Sequence, residues 1–87
     1  MPSKSFTPRE RTILPLVAKG ESNRSIATSL ELAEQTVKNM VTAMMTKADV
    51  PNRTGLAKLH WLYESHSTKG ITVGDQELLD KARRLLA

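Results

Sequence analysis

The chain has no cysteine. That excludes a disulfide framework, a thiolate metal site and a cysteine nucleophile. Its two histidines, His60 and His66, stand six positions apart, without the i, i+4 geometry of a helical zinc pair, so no metal site is expected. No apolar run approaches the roughly 20 residues needed to span a bilayer. The opening "MPSKSFTPRE" lacks the apolar middle of a signal peptide. Serine, histidine and aspartate are present, but nothing resembles a nucleophile elbow or a converging pair of carboxylates. The expectation is a soluble, cytoplasmic protein that is not an enzyme, needs no cofactor and has no contact with a membrane.

What is present is one small basic chain. Its 87 residues lie near the lower limit at which a single core holds without covalent staples. A net charge of +4 and a pI near 9.8 permit nucleic-acid binding without demanding it. Residues 1–66 carry nine basic and six acidic groups, residues 67–87 four and three, so there is no polybasic tail.

The pattern reads as all-α. Glycines and prolines fall mostly at element ends, and no alternating β-branched run of strand length occurs. "TPRE" at Thr7–Glu10 is a helix start: a capping threonine, a proline preorganised at the first helical position, and a glutamate placed to complete a capping box. Ile13, Leu14 and Val17 form the inner face of this helix and Gly20 suits the residue past its end. Pro15 removes one hydrogen bond and predicts a kink in it. A second helix begins at Ser22 or Asn23 and runs to Leu30, with Ile26, Ala27 and Leu30 inward.

The third helix spans about 34–47. At about 100° per residue, Val37, Val41, Met44 and Ala48 gather on one side, and Gln35, Lys38, Asn39, Thr42 and Thr46 on the other. On pattern alone, that polar side reads as an ordinary solvated face before it reads as a binding face. Met40 and Met45 flank the apolar stripe. Pro51 forces a boundary, and "NRT" at Asn52–Thr54 starts a fourth helix to about Ser65. Leu56, Leu59, His60 and Tyr63 make one stripe, whereas Trp61 and Leu62 point elsewhere. A helix apolar on more than one side must bury more than one side. After the polar connector "SHSTKG", Thr72–Asp75 repeats a capping pattern. Leu78, Leu79, Ala82, Leu85 and Leu86 then fit an apolar arc of about 120°.

The combination of "FTPRERTILPLVAKGESNRSIATSL", "TVKN" and "PNRT" at these separations resembles the LuxR/GerE family of helix-turn-helix domains over residues 6–65. The resemblance implies an all-α, four-helix fold, here with an additional C-terminal amphipathic helix. The division would be a helix-turn-helix domain at 1–66 and a linker with the extra helix at 67–87, the latter part of the same domain or of a dimer. It further implies a bacterial or phage transcription regulator that binds double-stranded DNA as a homodimer, with helix 34–47 in the major groove. Lys38, Asn39, Gln35 and Thr42 would then meet base edges. Thr36, Arg24 and Arg53 would suit phosphates, which position without specifying. Leu56, Ala57, Trp61, Leu62, Leu78, Leu79, Leu85 and Leu86 are candidates for a dimer or partner interface.

Several positions depart from the family's pattern. Ala33 stands where a capping Ser or Thr is favoured, which forgoes about 1 kcal/mol. Met40 replaces a histidine, and where the pattern runs Ile-Leu-Arg-Lys-Leu-Gly this chain has Met44 to Asp49, with one basic group fewer at Thr46 and an acid added at Asp49. The reduced charge of the third helix and the added amphipathic tail motivate an alternative: an adaptor or anti-activator that grips another protein of the transcription machinery through the adaptable Met40 and Met45, the fourth helix or the tail. Too few residues precede Thr7 for a receiver or sensing domain. In a chain complete as it stands, regulation would come from its amount, from dimerisation or from a partner.

Overall fold

A computed structural model describes residues 5–65 and 72–86. Five helices follow in order: α1 (Pro8–Ala18), α2 (Asn23–Leu30), α3 (Glu34–Ala48), α4 (Arg53–Ser65) and α5 (Val73–Leu86). There is no strand among the described residues, and none of these helices is long and apolar enough to cross a membrane. The polar connector with His66, and the boundary expected at 66/67, lie outside the described residues.

Local chemistry starts each helix. Thr7 Oγ1 accepts from the Glu10 N–H at 3.1 Å while the Thr7 N–H donates to Glu10 Oε1 at 2.8 Å, a complete capping box. Ser22 Oγ accepts from the Ser25 N–H, Asn52 Oδ1 from the Gly55 N–H and Thr72 Oγ1 from the Asp75 N–H. Only α3 starts at a residue that cannot cap: Ala33 is extended (φ −72°, ψ 143°) and offers no side-chain acceptor. α1 runs unbroken through Pro15 to Ala18. Glycine is required at position 55, because a Cβ there would lie 2.6 Å from the Val50 Cβ.

The core gathers one face of every helix. Ile13 and Leu14 of α1, Ile26 of α2, Val37 and Met44 of α3, and Leu56 and Leu59 of α4 are fully buried. Phe6, Ala82 and Leu85 join the same cluster, so α5 closes on its own chain. It lies mainly along α4 and reaches the end of α3. Its seat is fastened at both ends. The Phe6 N–H donates to the Leu85 carbonyl at 2.9 Å, and Lys58 Nζ of α4 lies 2.7 Å from Asp75 Oδ1.

This corrects part of the interface expected from the sequence. Leu56, Leu79 and Leu85 are buried in the chain's own core, and Leu78 and Leu86 pack half-buried against it. The second apolar side of α4 is therefore covered in large part by α5. Trp61 remains 54% exposed, with Ala57 and Leu62 half-exposed near it.

Candidate nucleic-acid interface

The turn between α2 and α3 sets the angle at which α3 is presented. Glu31 takes the left-handed conformation (φ 56°, ψ 44°), and the Leu32 N–H reaches back to the Ala27 carbonyl at 2.8 Å. This is the 6→1 closure that ends a helix and redirects the chain, here without the glycine that usually accommodates it. Leu30 and Leu32 pack against the core on either side of the turn. α3 follows with Val37, Val41, Met44 and Ala48 buried beneath it.

The opposite side of α3 is open. Gln35, Thr36, Lys38, Asn39, Thr42 and Thr46 are all exposed. Two of the candidate side chains are joined: Gln35 Nε2 donates to Asn39 Oδ1 at 2.9 Å, one turn along the exposed face. Thr42 Oγ1 donates to the Lys38 carbonyl and Thr46 Oγ1 to the Thr42 carbonyl. With each hydroxyl proton committed to the preceding turn, the methyl groups are the more available parts of these threonines. Lys38 has no ion-pair partner among the described residues.

The other cations divide differently from the sequence reading. Arg24 is exposed on α2 and also has no ion-pair partner among the described residues. Arg53, expected at a phosphate, is half-buried and fastens α4 to the start of α2. Its Nη1 donates to Asn23 Oδ1, and its Nη2 to the Glu21 carbonyl at 2.6 Å. Lys47, the second basic residue of α3, points away from the polar arc. Its ammonium lies 2.7 Å from the buried Glu10 carboxylate and 3.2 Å from the Ser5 carbonyl. The sequence reading missed both clamps, and no local pattern announces them. One cationic feature beside α3 was also missed: Lys47, Asp49, Lys81, Arg84 and Leu85 line a cleft between the end of α3 and α5.

α2 and α3 thus form a two-helix unit, with a tight left-handed turn between them and a polar face held outward on the second helix. The family model that matches residues 4–60 is that of bacterial regulatory proteins of the luxR family. The chain belongs to that family. Among its relatives is the transcriptional regulatory protein LiaR of Bacillus subtilis, 40% identical over 57 residues, which cover 66% of this chain and 27% of LiaR. The DNA-binding transcriptional activator DevR/DosR of Mycobacterium tuberculosis is 41% identical over 56 residues, 64% of this chain and 26% of that protein. The nitrate/nitrite response regulator protein NarL of Escherichia coli is 41% identical over 59 residues, 68% and 26% of the two chains. The matched segment is thus about a quarter of each luxR-family relative. No solved structure matches the chain significantly. The family match ends at residue 60, so α5 and its side of the cleft lie beyond it.

Proposed function

We propose that this luxR-family chain is a transcription regulator that binds double-stranded DNA as a homodimer, with α3 in the major groove. The observation that carries the reading is the exposed arc of Gln35, Lys38, Asn39 and Thr42 above a fully packed inner face. Amide side chains can bond adenine bidentately, lysine reaches guanine or a phosphate, and a threonine methyl suits the thymine methyl. Thr36 and Arg24, both exposed, would suit phosphates, which set register without specifying sequence. Pairing of two copies would use the surface left open on α4, Trp61 with Ala57 and Leu62. A regulator acting on bacterial or phage DNA in this way works in the cytoplasm.

A second reading, an adaptor or anti-activator that holds another protein of the transcription machinery, is favoured by the exposure of Trp61. Met40 and Met45 serve it less well, since both are half-buried against the core.

Binding to genomic DNA fragments at low and moderate salt separates the two. DNA regulation predicts site-selective, salt-sensitive binding that Lys38→Ala with Asn39→Ala abolishes. Capture of a protein that survives those changes, with DNA ignored throughout, would establish the adaptor instead.

A further inference from the structure

We propose that α5 supplies a second DNA contact, in which Lys81 and Arg84 hold the sugar–phosphate ridge beside the far end of α3. The inference rests on the major-groove reading above and adds to it an element outside the family match.

The 15 residues of α3, at about 1.5 Å each, make a rod about 22 Å long, whereas the major groove is about 12 Å wide. A helix that crosses the groove, docked by its N-terminal half, carries its C-terminal end out over a ridge. On α3 the exposed arc runs through Thr42 and Thr46 to Asp49, whose side chain is 95% exposed. α5 stands at that end. Lys81 Nζ lies 3.9 Å from Asp49 Oδ2, the outer limit of an ion pair, and Arg84 lines the same cleft. The Arg84 guanidinium has no ion-pair partner among the described residues.

Both cations are mounted on fixed backbone. Ala82 and Leu85 are buried, the Leu85 carbonyl accepts from Phe6 N–H, and the Arg84 carbonyl accepts from Ser5 Oγ at 3.3 Å. Of the two lysines on α3, Lys47 is held by Glu10, which leaves Lys38 to meet DNA. The two α5 cations would make up that deficit from beside the end of α3, where they share a cleft with Lys47 and would meet a phosphate, not a base. Asp49 opposes them: a phosphate must displace its carboxylate from Lys81.

Arg83 is the internal control. It is two residues from Lys81, hence about 160° away around the helix, and pairs with Asp80 at 3.8 Å. The experiment measures the affinity of the full chain for its DNA fragment between about 50 and 200 mM salt. Native protein is compared with Lys81→Gln, Arg84→Gln, the double variant, Arg83→Gln and Asp49→Asn, with thermal melts confirming that each is folded. Removing one phosphate-bound cation flattens the slope of log affinity against log salt by about 0.9. Lys81→Gln and Arg84→Gln should each flatten it by that amount per protomer, and the double variant by about 1.8. Arg83→Gln should leave the slope alone, and Asp49→Asn should tighten binding. Site preference should be the same in all of them.

A native slope in the folded double variant overturns the α5 contact while leaving the major-groove reading standing. Equal flattening by Arg83→Gln overturns it too, since bulk charge then explains the effect. Failure of the native chain to bind any DNA overturns both.

Discussion

The ammonium of Lys47 lies 2.7 Å from Glu10 Oε1, tying the last turn of α3 to the first turn of α1 across 37 residues of sequence. The same carboxylate oxygen accepts from the Thr7 N–H, so one buried glutamate both starts α1 and anchors α3. Removing the cation leaves Glu10, whose side chain is only 6% exposed, without its countercharge. Breaking a fully buried pair costs about 3–5 kcal/mol. Lys47 keeps 24% of its side chain in solvent, so Lys47→Met should cost less, about 2 kcal/mol. Urea denaturation should show a lower midpoint at unchanged slope. The salt dependence of DNA binding should not change, because this lysine has no reach to spare; a flatter salt slope would show that it touches phosphate after all.

Ala33 already has the extended backbone of a helix cap and lacks only the oxygen. Ala33→Ser should stabilise the protein by about 1 kcal/mol. In a domain this small that corresponds to roughly 4–8 °C in melting temperature. A calorimetric scan that shows no rise would mean the first N–H groups of α3 are satisfied in some other way.

Thr42 commits its hydroxyl proton to the Lys38 carbonyl. Its contribution to DNA recognition should then come from the methyl group. Thr42→Val keeps a methyl at that place and should alter affinity for the preferred fragment by no more than about twofold. Thr42→Ser, which keeps the hydroxyl and loses the methyl, should weaken binding more. The reverse order in a fluorescence-anisotropy titration would assign the contact to the oxygen.

Trp61 is more than half exposed, packed edge-on against His60 at a ring-centroid distance of 5.1 Å. If two copies meet on α4, Trp61→Glu should shift sedimentation to the monomer. The melting temperature of the monomer should barely move, since surface changes of this kind fall within about 0.5 kcal/mol. A native chain that sediments as a monomer at all concentrations and on DNA would remove the homodimer from the proposal.

Much of this architecture was legible because the signals that encode it are local. Thr7, Ser22 and Thr72 each cap a helix within three residues, and the apolar spacing of Val37, Val41 and Met44 orients α3 without reference to any partner. The polar arc is the complement of that stripe, so its exposure followed from the same periodicity. The clamps were not legible. Arg53 meets Asn23 from 30 residues away and Lys47 meets Glu10 from 37, and nothing in the spacing distinguishes such a residue from a solvated cation. The seat of α5 was open for a related reason. An apolar arc shows that a helix must be covered, but it carries no mark of which chain does the covering.

Phe6 and Leu85 are linked main chain to main chain, which brings the two ends of the described polypeptide to one corner of the molecule. A donor and acceptor dye placed at those ends would exchange energy strongly while the last helix is seated and lose the signal once it swings away. A stretching force applied at the same points would peel that helix first, before straining the four that precede it.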